Sequence, residues 1–258
     1  MAHAARCGHH PVMVGPAQIV AFGGGGFSME AGNPLLDDYV LSLTHLQRPK
    51  VCFMPTASGD ADHYIVRFYR AFSPARCEPS HVSLFRRDKG AGLGRPLDEH
   101  LLDQDVIYVG GGTVVSLMGV WRAHGLDEIL AECWRRGVVL CGLSAGSLCW
   151  FQDAVSAFHG EPTSVGGLGL LPHSNCVHYD GEPARREEYR AAVGRGDVSP
   201  GYAADDGVAL HFVGTDLARV VSSRRDRAAY RVEAVEGEAM EVAIEPDFLG
   251  AAPPLAVA

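Results

Sequence analysis

The chain has no C-x-x-C pair, no polybasic cluster and no long uninterrupted apolar span. Each absence excludes something. Seven cysteines, an odd number without close pairs, argue against structural zinc and against a disulfide framework. Several lie inside apolar runs, where cysteine acts as a small core residue, so a reducing, cytoplasmic setting is expected. A net charge of -9 without basic clusters excludes a nucleic-acid backbone as the main partner. Without a long apolar span no membrane anchor is expected. Residues 1–17 lack the basic start and apolar stretch of a signal peptide and read as a flexible lead-in, where Cys7, His9 and His10 are solvated rather than metal ligands. Gly23-Gly24-Gly25-Gly26 follows a first strand, but no P-loop lysine follows it. Ser28 stands where the last glycine of G-x-G-x-x-G would fall. The glycines therefore read as a loop in close backbone contact rather than a nucleotide site.

What is present is ordinary for a globular chain of 258 residues, with 47% hydrophobic and 21% charged residues. Strand candidates at Gln18–Phe22, Val51–Met54, His81–Phe85, Val106–Val109 and Val138–Cys141 alternate with helical stretches. The helices are placed at 63–71, 97–103, 114–124 and 126–136, the last two split at Gly125. This order predicts βαβ units: an α/β fold with a mostly parallel central sheet flanked by helices. Further on, Gly166–Pro172 reads as a turn-rich link, Asn175–Asp180 as a strand and Arg185–Val193 as a charged, exposed helix. Runs at 208–212, 218–221, 229–235 and 240–244 read as C-terminal β-hairpin additions. A single domain over 18–250 with a loose tail at 251–258 is expected.

One stretch organises the chain. Val138 to Cys141 is a buried strand, and Gly142-Leu143-Ser144-Ala145-Gly146 fits G-x-S-x-G. In that pattern a serine sits on a sharp strand-to-helix turn, and small neighbours let the backbone fold tightly around it. The hydroxyl is exposed at the carboxyl end of a strand. The helix start and the Ala145 N–H face any developing oxyanion. The turn Gly110-Gly111-Gly112-Thr113 falls on the same sheet edge and is a natural source of a second donor.

A serine hydroxyl needs a base to take its proton, and histidine is suited by its pKa. His178 closes an apolar run beyond the serine and is best placed. His159 ranks second, and His211, inside an apolar run, reads as a core-facing or edge residue. The base in turn needs a carboxylate, for which Asp153, Asp180, Asp205 and Asp206 are candidates.

The residues at this point resemble peptidase E (aspartyl dipeptidase) and its relatives, the cyanophycinases. The resemblance rests on an ordered set from about Gln18 to about Val221. Its parts are Pro55-Thr56-Ala57-Ser58-Gly59-Asp60, Tyr108-Val109-Gly110-Gly111-Gly112, the Ser144 turn, Gly169-Leu170-Leu171-Pro172 with His178-Tyr179, and Asp206-Gly207-Val208-Ala209-Leu210. It implies a class I glutamine amidotransferase-like, flavodoxin-like fold with serine in place of cysteine. It implies Ser144 as nucleophile, His178 as base and Asp206 as acid, with Asp205 or Asp153 as alternative acids. Ala145 with Gly111 or Gly112 would form the oxyanion hole. Thr113 stands where the family usually has Asn, and Asp206 where relatives often have Glu.

The activity so implied is that of a serine peptidase cleaving short peptides, favouring dipeptides with N-terminal aspartate, with no metal and no organic cofactor. Arg185, Arg186 and Tyr179 are candidate substrate contacts. A homodimer is expected by analogy of fold alone. Three rivals stand beside this reading. One is a cyanophycinase-like hydrolase of β-aspartyl peptides. Another is an esterase using Ser144, Asp206 and His211. The third is an amidotransferase-like binding domain with an inert serine.

Overall fold

The computed structural model describes residues 15–85, 94–157 and 160–250. Residues 1–14 of the lead-in, with Cys7, His9 and His10, lie outside the described residues, as do His159 and the tail at 251–258. The first half runs β1 (Gln18–Phe22), α1 (Gly26–Met29), α2 (Leu35–Ser42), β2 (Lys50–Met54), α3 (Asp62–Ala71), β3 (Glu78–His81), α4 (Leu97–Leu102), β4 (Val106–Val109), α5 (Val114–Ala123), α6 (Leu126–Arg135) and β5 (Val139–Leu143). The second half runs α7 (Ala145–Leu148), β6 (Phe151–Ser156), β7 (Thr163–Gly166), β8 (Leu171–Cys176), α8 (Pro183–Arg195), β9 (Gly201–Ala204), β10 (Val208–Val213), β11 (Asp216–Ser222), β12 (Ala229–Val235), β13 (Glu238–Ile244) and β14 (Asp247–Phe248).

Two sheets result. The larger has the order β14-β11-β10-β1-β5-β4-β2-β3, and its β1, β5, β4, β2 and β3 are mutually parallel. Its parallel strands are apolar throughout because both faces are covered. The side chains alternate between two cores. Ile19, Cys52, Ile107 and Leu140 pack on one face with Leu117, Trp121 and Leu130 of α5 and α6. Val20, Phe53, Tyr108 and Cys141 pack on the other with Leu36 of α2 and Phe68 of α3. The strand period of two thus builds a three-layer α/β fold.

Several expectations need correction. The third strand is Glu78–His81 rather than 81–85. It pairs with β2 alone and tolerates Pro79 as an edge strand. The strand before His178 is Leu171–Cys176, so the 166–172 link is partly strand. The hairpin additions divide between the sheets. The β10–β11 hairpin extends the parallel core, with β10 antiparallel to β1. The β12–β13 hairpin belongs to a second sheet of order β13-β12-β9-β8-β6-β7. Helix α8 is not simply exposed, since it buries Arg185, Tyr189, Ala192 and Val193.

Among the described residues no helix is long and apolar enough to cross a membrane. The carboxyl ends of β1 and β5, neighbours in the larger sheet, meet loops entering from the smaller one.

Candidate active site

The Ser144 turn has a local cause. Ser144 follows β5 with φ 54° and ψ -119°, a backbone state that non-glycine residues rarely adopt. The flanking glycines make it fit. A Cβ on Gly142 would lie 2.4 Å from the Gly146 carbonyl oxygen. One on Gly146 would lie 2.2 Å from the Val109 carbonyl oxygen. The Ser144 carbonyl accepts the N–H groups of Ser147 (2.8 Å) and Leu148 (2.9 Å), which starts α7. That helix is a single turn of 4 residues. The nearby N–H groups rather than a long helix dipole must supply any anion stabilisation. The Ala145 N–H makes no hydrogen bond to any described residue.

His178 lies two residues beyond the end of β8, also at positive φ, 55°. Its N–H donates to the Gly23 carbonyl at 3.0 Å, and its carbonyl accepts from Gly181 and Glu182. The ring is thereby aimed at the serine: Nε2 lies 3.1 Å from Ser144 Oγ, and Nδ1 lies 2.6 Å from Asp206 Oδ1. The tautomer that satisfies both contacts carries its proton on Nδ1 and accepts the Ser144 hydroxyl at Nε2.

Asp206 sits in the turn between β9 and β10. Its N–H donates to Asp180 Oδ1 at 2.9 Å, and Asp180 pairs with Arg227 at 2.5 Å. Burial works against the Asp206 charge. The His178 hydrogen bond and charge, with Arg224 and Arg227, outweigh it and hold the carboxyl below its ordinary range. The glycine loop after β1 closes the assembly. The Gly207 N–H donates to the Gly24 carbonyl at 3.0 Å. A Cβ on Gly24 would lie 2.0 Å from Asp206 Oδ1 and 3.0 Å from His178 Nδ1. Close backbone approach is what this loop does.

The glycine turn after β4 contributes unequally. The Gly111 N–H donates to Tyr64 Oη at 3.0 Å and is already engaged. Gly112 has φ 142°, and a Cβ there would lie 2.1 Å from the Ala57 carbonyl oxygen. Its N–H meets no acceptor among the described residues. Of the two candidate glycines, Gly112 keeps its donor open. Thr113 caps α5 by accepting the Ser116 N–H at 3.4 Å.

The remaining candidates go elsewhere. Asp205 is buried, accepts the Ala228 N–H at 3.0 Å and anchors the start of β12. Burial holds its carboxyl above the ordinary value. Asp153 accepts the Ser199 hydroxyl at 2.7 Å and the Ser199 N–H at 3.1 Å. Neither bonds His178. Arg185 is buried and paired with Glu182 at 2.8 Å. Arg186 pairs with Glu241 and lies over the rings of Tyr179 and Tyr230, 4.6 and 4.9 Å from their centroids. Tyr179 is buried and donates to Glu241. None of these three lines the serine cavity. Their polar groups are engaged away from it, Arg185 with Glu182 and the Val177 carbonyl, Arg186 and Tyr179 with Glu241 of β13. His211 is buried on β10 between Tyr39 Oη (2.7 Å) and Gln18 Oε1 (3.0 Å). The esterase arrangement with His211 as base therefore fails.

Ser144 and His178 open onto a cavity of about 320 Å³. Its wall includes Ser28 and, besides it, Met29, Tyr64 and Arg67, which the motifs did not single out. Tyr64 and Arg67 stand three residues apart on α3 and so share a helix face. The one available signal is that α3 follows the Pro55–Asp60 loop at the sheet edge where the serine lies.

A strained serine hydrogen-bonded to a histidine, itself bonded to a carboxylate, has the geometry of the serine hydrolases. Comparison with known proteins narrows the class. The family model described as peptidase family S51 matches residues 19–220. The chain belongs to that family and is a serine-type peptidase. It is 47% identical over 233 residues to the uncharacterized peptidase YgaJ of Bacillus subtilis (strain 168), spanning 90% of this chain and 99% of that one. It is 31% identical over 163 residues to peptidase E of Streptomyces coelicolor, spanning 58% of this chain and 62% of that one. The crystal structure of a peptidase from an acI-B1 Actinobacterium superposes with a TM-score of 0.67 at 17% identity. It covers 89% of this chain and 97% of that one, a likeness of fold.

Proposed function

We propose that this peptidase hydrolyses short peptides, above all dipeptides with N-terminal aspartate, through Ser144, His178 and Asp206. The continuous hydrogen-bonded line Ser144 Oγ–His178–Asp206 supports the reading. Ser144 Oγ attacks the scissile carbonyl while His178 Nε2 takes its proton. The developing oxyanion meets the open N–H groups of Ala145 and Gly112. His178 then gives its proton to the leaving amine, and water hydrolyses the acyl-enzyme by the reverse transfers. Asp206 keeps the ring oriented and steadies the imidazolium. A cytoplasmic setting belongs to the proposal, supported by six free, buried cysteines among the described residues.

The test is mass spectrometry of products from a pooled dipeptide library, wild type against Ser144→Ala. Loss of Asp-Xaa members that falls by roughly 10⁴-fold or more in the variant is expected. Hydrolysis retained by a folded Ser144→Ala protein would exclude Ser144 as nucleophile. A second reading, hydrolysis of β-aspartyl peptides in the manner of cyanophycinases, is favoured by one observation. The serine cavity shares Ser28, Met29 and Arg67 with a cavity of about 810 Å³, more room than a dipeptide fills. Including β-Asp-Arg and longer β-aspartyl-linked peptides in the pool separates the two readings. No serine-dependent cleavage and no reaction with a phosphonylating probe would point to an inert binding domain.

A further inference from the structure

We propose that Arg67 of α3 is the specificity-determining residue of this cavity and holds a carboxylate of the substrate, a role that presupposes Ser144 as the nucleophile beside it. Arg67 lines the wall that contains Ser144 and His178, and among the described residues no aspartate or glutamate lines that cavity. It also lines the larger adjoining cavity together with Arg70 and Arg76. A guanidinium carries five N–H donors in a fixed fork and keeps its charge at any working pH. Here one donor reaches the Ser28 carbonyl at 3.4 Å. No ion pair joins Arg67 to a described carboxylate, whereas Arg76 is paired with Asp38.

The carboxylates bordering the larger cavity are already engaged. Glu30 pairs with Arg224 at 2.6 Å and accepts from Ser223 at 2.7 Å. Asp37 is buried and accepts the Tyr108 hydroxyl at 3.2 Å. The contrast with α8 is direct, because Arg185 and Arg186 are both neutralised by glutamates. On a chain of net charge -9, the cleft beside the nucleophile thus presents an uncompensated cation. A local reversal of sign in a cleft draws an anion and orients it. The planar fork matches a carboxylate in two-point contact. Two carboxylates of a short peptide have this chemistry: an acidic side chain and the C-terminus.

The test measures binding in the Ser144→Ala background, where the peptide stays intact. Calorimetric titrations use Asp-Ala, Asn-Ala and the C-terminal amides of both, with Arg67, Arg67→Gln or Arg67→Lys. Arg67→Gln should weaken Asp-Ala by about 10- to 100-fold, the worth of a charge-assisted contact. Arg67→Lys, which keeps charge without the fork, should fall between. The removal of one carboxylate should erase the difference between Arg67 and Arg67→Gln. If Asn-Ala erases it, the side chain is the ligand; if the amide does, the C-terminus is. Equal affinity of the Arg67 and Arg67→Gln proteins for every peptide overturns the assignment, as does an equal loss for all four or no binding at all. Arg67-dependent binding in a protein whose wild type shows no Ser144-dependent turnover would instead overturn the peptidase mechanism and leave the carboxylate site standing.

Discussion

At the scale of single residues, Ser144 holds a backbone state that costs an ordinary L-residue about 1–3 kcal/mol. Glycine reaches φ 54°, ψ -119° without that cost. Ser144→Gly should therefore unfold at higher urea than wild type, by about 1 kcal/mol, while losing hydrolysis. Ser144→Ala keeps the Cβ and the strain, so it should lose hydrolysis without gaining stability. Equal stability of the two variants would mean that the turn is not strained. Asp206 carries a second prediction. Its carboxyl is held below the ordinary range because burial is outweighed by His178, Arg224 and Arg227. A depressed native value means that its contribution to stability is present above the unfolded value near 3.9. It is lost as pH falls through the native one. Asp206→Asn should lose that part of the acid slope in urea unfolding measured from pH 6 to pH 3. It should also lower kcat by roughly 10³- to 10⁴-fold, since an amide does not fix the histidine tautomer. An unchanged acid slope would show that Asp206 is not the group whose charge is held there.

At the scale of elements, the loops and not the strands decide whether the site forms. Gly24 and Gly146 test this in different ways. Gly146→Ala forces a Cβ against the Val109 carbonyl inside the sheet-to-helix turn. Backbone must move, and a loss of about 1–3 kcal/mol in urea unfolding is expected together with lost activity. Gly24→Ala meets chiefly the Asp206 carboxylate, a side-chain end that can swing away. It should cost more in kcat than in stability. A Gly24→Ala enzyme with full activity would break the link between this loop and the Asp206–His178 pair. The same contrast explains what was legible beforehand. Strands β1, β2, β4 and β5 carry apolar runs covered on both faces, so composition alone reveals them. The Ser144 turn shows because its glycines are spaced by steric need. His178 and Asp206 were reachable through an ordered resemblance, since both stand in turns that no periodicity marks. The second sheet was hidden. Its β7 and β8 are Thr163–Gly166 and Leu171–Cys176, half polar, with β7 on the sheet edge beside β6 and β8 held parallel between β6 and β9. Tyr64 and Arg67 were hidden for another reason. A helix pattern gives the face that packs inward but not which cavity the far edge of that face borders. For Arg185 and Arg186, sequence proximity to His178 says nothing of the glutamates that neutralise them.

At the scale of the whole molecule, the stability of the fold against pH joins groups of opposite sign. Asp37 on α2 is buried at 1% exposure beneath the glycine loop. Burial raises its carboxyl to about 7, although the Tyr108 hydroxyl bond pulls the other way. Gly26 packs directly over this pair. A Cβ there would lie 2.5 Å from Tyr108 Oη and 3.1 Å from Asp37 Oδ1. Between its unfolded value and about 7, the native state keeps a proton that the unfolded chain has released. Stability therefore falls as pH rises through that window and levels off above it, opposite in sign to the Asp206 effect. Asp205, raised by burial, adds to the Asp37 slope. Asp37→Asn is close to isosteric, stays neutral and still accepts the Tyr108 hydroxyl. The variant should match wild type near pH 4 and exceed it near pH 8, by roughly 2–4 kcal/mol in urea unfolding. A wild-type decline that persists undiminished in the variant would assign the titration to another group. A variant equal to wild type at both pH values would mean that the Asp37 charge is solvated in the native state. Because Asp37 lies under the loop that clamps His178 and Asp206, the cost of its charge falls on the element that holds the site. The Asp37→Asn protein should therefore also keep its activity to a higher temperature at pH 8, while at pH 5 the two proteins should inactivate together.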